Sequence, residues 1–231
     1  MSAFLQRFIL VALIFALTAP CLATAGDAPS NDIRNAAKVG MKTFLRPERL
    51  DYLHEHGFES QDDIDNAELG EGFEIYTIQP DKLLDESTPQ DLQSLVTSTN
   101  HWSFLIRVGG KAKTVVTVGL VDGKWTPVEY GSSGFAETMS AFLATWPASS
   151  GYEYRYIRVY QVPTSLIELS NGGKFVGIIP SSSLLELATK RPIKEYDPKI
   201  MINMKDALAA LRPAVKWNIE RWKRPTERKS Q

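Results

Sequence analysis

Apolar positions along the chain follow two spacings, and the changes from one to the other divide it into elements. Trp102 to Val108, Thr114 to Val121 and Trp125 to Tyr130 are rich in β-branched and aromatic residues, the composition that favours strands. Gly109-Gly110 and Asp122-Gly123 separate them. Connections this short join antiparallel neighbours only. The pattern predicts a three-stranded antiparallel meander with Trp102, Phe104, Ile106 and Val108 on one face. Phe73 to Ile78 alternates and predicts a further strand. Tyr152 to Val162 predicts a long one, and Leu166 to Leu169 with Lys174 to Ile179 a hairpin around Asn171-Gly172-Gly173.

Helical spacing appears elsewhere. Ser30 or Asn31 caps a run in which Ile33, Ala37, Gly40, Met41 and Phe44 share a face, and Pro47 ends it. Ser60 followed by Asp63 starts a second helix, with Gly70 as its stop. Thr88-Pro89-Gln90-Asp91 opens a third, with Leu92, Leu95 and Val96 as its apolar side. Ser132 or Ser133 caps a fourth, which carries Phe135, Met139, Phe142, Leu143 and Trp146. A short helix spans Ser182 to Ala188. The last begins near Asn203, where Met204, Leu208, Leu211, Val215, Ile219 and Trp222 form one stripe. Pro213 inside it predicts a kink. Helices mix with antiparallel strands and no βαβ series occurs. The fold class is α+β, with a largely antiparallel sheet packed against helices.

The first 25 residues have a different pattern. Arg7 precedes an unbroken apolar run, Phe8 to Leu17, and Ala23-Thr24-Ala25 supplies a small-x-small cleavage site. This is the layout of a secretory signal peptide. The run is half the ~20 residues that a spanning helix needs. The expected organisation is therefore a cleaved signal (1–25), an α+β domain (26–220) and a basic tail (221–231). Two subdomains would meet, if anywhere, near 147–151. The expected location is outside the cytoplasm, periplasmic or secreted, with no span left after cleavage. Cys21 is the only cysteine. Thr18 and Pro20 do not fit a lipidation motif around it, so the mature chain is expected to lack cysteine, and with it disulfides and thiolate chemistry.

Composition adds exclusions. The 231 residues carry 26 Lys+Arg and 27 Asp+Glu, 43% hydrophobic and 23% charged. These values fit a globular protein, and the missing basic excess argues against a nucleic-acid partner. Acids concentrate in residues 59–91, and bases in the last eleven residues.

Motif chemistry is sparse. His54-Glu55-His56 on a helix would point its rings about 200° apart, a poor chelate. Gly131-Ser132-Ser133-Gly134 misses the spacing of a nucleophile elbow. Asp63 to Glu68 lacks the oxygen ligand and glycine of a calcium loop. No phosphate loop or dinucleotide fingerprint occurs, and no cofactor or metal is expected. Acids are too many to single out a glycosidase-like pair.

Aromatic residues supply the candidate sites. Tyr152, Tyr154, Tyr156 and Tyr160 fall on one face of the long predicted strand, with Arg158 between the last two. Such a row suits a peptide, a glycan or an apolar small molecule as ligand, provided that the C-terminal helix does not lie over it. Trp217 sits off the helix's apolar stripe beside Lys216, Arg221, Lys223 and Arg224, an arrangement suited to an envelope protein or a membrane surface. The sequence-based reading is an exported, non-enzymatic binding or interaction protein. The alternative is an envelope hydrolase with a carboxylate-based site.

Overall fold

The computed structural model describes residues 28–85, 87 and 91–223. The signal-like segment, Thr88-Pro89-Gln90, Arg224 and the rest of the basic tail lie outside the described residues. The chain is α+β: one seven-stranded, mostly antiparallel sheet with helices on both faces. In chain order the main elements are α1 (Asn31–Phe44), α2 (Leu50–His54), α3 (Gln61–Asp65), β1 (Glu68–Ile78), α4 (Pro80–Leu84) and α5 (Leu92–Leu95). Then come β2 (Val96–Val108), β3 (Lys111–Val121), β4 (Lys124–Gly131) and α6 (Ser133–Thr145). β5 (Tyr152–Val159), β6 (Thr164–Asn171), β7 (Lys174–Pro180), α7 (Ser182–Thr189) and α8 (Met204–Lys223) complete the chain.

The strand order is β4-β3-β2-β1-β5-β6-β7. All pairings are antiparallel except the central one, β1 with β5, which is parallel. That central pairing is short, from Ile75↔Tyr156 to Thr77↔Arg158. The β3–β4 turn is Asp122-Gly123 with φ of 49° and 75°. Positive φ at both central residues is what a type I′ hairpin turn requires.

Strand periodicity sorts side chains to two faces. On one, Leu105, Val115, Tyr156, Ile167, Leu169 and Ile179 pack with Ala136, Met139 and Phe142 of α6. The opposite face is covered in two parts. Trp102, Phe104, Ile106, Val116 and Val118 meet Ile33 and Ala37 of α1 together with Leu53 and Phe58. Ile78, Ile157, Val159, Leu166 and Ile178 meet Leu184 of α7 and Ala207, Leu208, Leu211 and Val215 of α8. Gly40 lets α1 approach the sheet: a Cβ there would lie 2.8 Å from Pro127 and 2.9 Å from Val116.

Several boundaries differ from expectation. β2 begins at Val96, six residues early, because Val96, Thr97 and Ser98 pair with Ile78, Thr77 and Tyr76 of β1, although Thr97 and Ser98 are polar. β5 ends at Val159, so Tyr160 belongs to the following turn. Ser132 precedes α6 in a left-handed conformation (φ 75°), and its hydroxyl does not cap the helix. Pro213 lies within the continuous helix α8. Trp222 is 85% exposed, because the buried part of the α8 stripe stops at Val215.

Candidate functional site

Helix α6 decides what becomes of the tyrosine row. It covers β5, where the C-terminal helix had been the expected competitor; α8 lies on the other face, against Ile157 and Val159. Tyr152 meets Trp146 with ring centroids 5.1 Å apart, Tyr154 meets Phe142 at 5.3 Å and Tyr156 meets Phe135 at 5.0 Å. Tyr156 is 8% exposed, whereas Tyr160 is 54% exposed. The row is therefore divided. Tyr156, Arg158 and Tyr160 border one cavity, and Tyr152 and Tyr154 border another.

The first cavity, about 390 Å³, opens beyond the start of α6. A cross-strand row forms part of its wall: Ser103 on β2 opposes Thr117 on β3, which opposes Glu129 on β4. Ser103 Oγ and Thr117 Oγ1 are buried and share a 2.7 Å hydrogen bond. The facing wall is also hydroxylic. Ser183 Oγ donates to Thr164 Oγ1 at 2.9 Å and reaches the Pro163 carbonyl at 3.2 Å. Ser132 and Ser165 join the lining. The Arg158 guanidinium lies over the Tyr160 ring, 5.3 Å from its centroid, and its Nη1 stands 3.9 Å from Glu129 Oε2. Burial pushes the Tyr156 hydroxyl above the usual phenol range.

The second cavity is a notch of about 450 Å³ where β1 and β5 separate before their short pairing. Tyr152, Tyr154, Phe73, Tyr76 and Trp102 wall it, and Glu71, Glu74 and Glu153 add carboxylates. Arg107 pairs with Glu71 at 2.9 Å. Glu74 accepts hydrogen bonds from the Tyr76 hydroxyl at 2.7 Å and from the Ser98 hydroxyl. Burial, with the Glu71 charge second, pushes the Tyr154 hydroxyl up to about 12.

Trp217 is 58% exposed on α8, with the Arg221 guanidinium 5.2 Å from its ring centroid. Lys216 is exposed beside it. Lys223 ends the helix. His56 packs against Tyr52 and Tyr130, with ring centroids at 4.9 and 5.4 Å. Among the described residues, no group of three or more His, Cys, Asp or Glu side chains is placed to hold a metal ion. No described helix is long and apolar enough to cross a membrane.

The sequence reading missed Ser103, Thr117 and Glu129. A signal was present for two of them: Ser103 stands between Trp102 and Phe104, and Thr117 between Val116 and Val118. No protein family, curated protein or solved structure matches the chain.

Proposed function

We propose that this is an exported, non-enzymatic binding protein, periplasmic or secreted, whose ligand is a hydroxyl-rich small molecule of sugar size. Export rests on the signal-like layout of residues 1–25. The ligand class rests on one observation above all: Arg158, stacked on the exposed ring of Tyr160, stands at a 390 Å³ cavity whose lining includes six Ser and Thr residues. That volume lies within the range of small-molecule sites. A ring face packs against the apolar face of a sugar, and a guanidinium held flat presents its donors to hydroxyl oxygens at little further entropic cost. Glu129 supplies an acceptor nearby. A purely apolar ligand would take Arg158 and Glu129 away from water without offering either a hydrogen bond, which is unfavourable. The hydrolase alternative needs two converging carboxylates, and this cavity's lining includes one, Glu129.

A partner contact is a second reading, supported by the exposed Trp217 stacked beneath Arg221. With the exposed Lys216 it presents an aromatic and basic surface suited to an envelope protein or an anionic membrane surface, and Lys223 and Arg224 add two more bases to the sequence that follows. No nucleic-acid partner and no cofactor is invoked.

The test is identification, by mass spectrometry, of what copurifies with the protein from its own cell envelope. A polyhydroxylated small molecule, lost in Tyr160→Ala, supports the reading. An apolar ligand, or turnover of ester, glycoside or peptide substrates abolished by a single acid substitution, contradicts it.

A further inference from the structure

We infer that the notch between β1 and β5 is a second binding site, and that it receives a guanidinium or ammonium side chain carried on an extended peptide. This stands apart from the sugar-site reading, since the two cavities share no lining residue.

The notch follows from the topology. β1 and β5 pair only from Ile75↔Tyr156 to Thr77↔Arg158. β1 nevertheless begins at Glu68 and β5 at Tyr152. In those earlier stretches each is paired on its outer side, β1 with β2 and β5 with β6. The inner-side peptide groups of Tyr152 to Arg155 consequently have no strand partner among the described residues. Unpaired peptide groups along a strand are a template for adding another strand.

The side chains specify the charge. Phe73, Tyr76, Trp102, Tyr152 and Tyr154 give the notch aromatic walls. Ring faces attract cations, and the protein already uses them so nearby: Arg155 lies 5.8 Å from the centroid of Tyr76, and Arg34 5.8 Å from that of Phe104. Three glutamates line the notch against one cation, Arg34. Glu71 is engaged by Arg107, and Arg155 is committed to Glu168. Glu74 is oriented by two hydroxyl donors, which fix its position without cancelling its charge. A cation entering here meets π faces and fixed carboxylates together. The surrounding volume, about 450 Å³, accommodates one long side chain and its adjoining backbone.

The experiment is a fluorescence-anisotropy titration of the full chain with a labelled pentapeptide, acetyl-Val-Thr-Arg-Thr-Val-amide. A second arm uses the same peptide with the neutral isostere citrulline in place of arginine, and a third uses unlabelled arginine amide as competitor. The expected result is saturable binding of the arginine peptide, at least about tenfold weaker binding of the citrulline peptide, and poor competition by arginine amide. Glu74→Gln with Glu153→Gln should weaken the arginine peptide at least about tenfold while the circular dichroism spectrum and melting temperature hold. Equal affinity of the two peptides, or no binding up to millimolar concentration, overturns the inference. Competition by arginine amide as strong as by the unlabelled peptide overturns the strand-addition half of it. Tyr160→Ala should leave this binding unchanged, so the outcome is separable from that of the sugar site.

Discussion

Phe142 meets Tyr154 edge to face, with ring centroids 5.3 Å apart and planes at 82°. The contact joins α6 to β5 and, with the Phe135–Tyr156 and Trp146–Tyr152 contacts, turns most of the tyrosine row into packing. Phe142 is fully buried. Phe142→Ala should lower the unfolding free energy by about 3–5 kcal/mol. In denaturant this reads as a lower midpoint at unchanged slope. Tyr154→Phe keeps the ring and should cost far less.

Alkaline pH tests the same packing. Burial holds Tyr154 and Tyr196 up to about 12 and raises Tyr130 and Tyr156 as well. In the unfolded chain a tyrosine ionises near 10. Between about 10 and 12 the unfolded state therefore binds fewer protons than the folded one, and stability falls as pH rises. The contribution of these phenols is fully present below about 10. Urea midpoints at stepped pH should show that decline, and Tyr154→Phe should flatten it. A slope unchanged in that variant would contradict the burial of Tyr154.

The Ser103–Thr117 pair makes a sharper case, because each hydroxyl is the other's protein partner. Ser103→Ala alone should cost about 1–3 kcal/mol, since it leaves Thr117 Oγ1 buried and unpaired. Adding Thr117→Val should recover part of that loss. A double-mutant cycle measures the coupling, and strict additivity would show that the pair is not coupled.

Arg155 and Glu168 form an ion pair whose side chains are 10% and 12% exposed. Arg155→Met strands a buried carboxylate and should destabilise the protein by about 3–5 kcal/mol. Adding Glu168→Leu should restore much of the stability. Thermal unfolding of the two variants checks both statements.

Ile106 is fully buried under α1 and α2. Ile106→Asp should cost several kcal/mol, about the sum of lost burial and carboxylate desolvation. An unchanged melting temperature would refute the placement of β2.

Local signals carried much of the fold. Asp122-Gly123 announces its turn, and the alternation around Phe104 and Ile106 announces the face they bury. The apolar spacing from Met204 to Val215 announces α8. Non-local pairing was not legible. Nothing in Ile75 or Tyr156 says that they lie side by side across 81 residues of chain, and from that pairing come both the parallel centre of the sheet and the notch beside it. Propensity also misled at Val96 to Asn100, whose polar residues join β2 because β1 offers them a partner. For the site, period-two spacing aligned Tyr152, Tyr154 and Tyr156 on one face. It could not show that α6 would cover them, or that the strand would end before Tyr160.

The central claim is that a hydroxyl-rich ligand binds beside Arg158 and Tyr160. Its most direct test is amide chemical-shift mapping by NMR of the ¹⁵N-labelled protein against a panel of mono- and disaccharides. The account predicts that at least one sugar shifts the amides of Ser103, Ser132, Arg158 and Tyr160 in a saturable manner. It further predicts that Tyr160→Ala weakens that sugar by about tenfold, the equivalent of ~1.4 kcal/mol of lost ring contact, without altering the melting temperature. A panel that moves none of these amides, or a sugar that binds Tyr160→Ala as tightly as the unaltered protein, would contradict it.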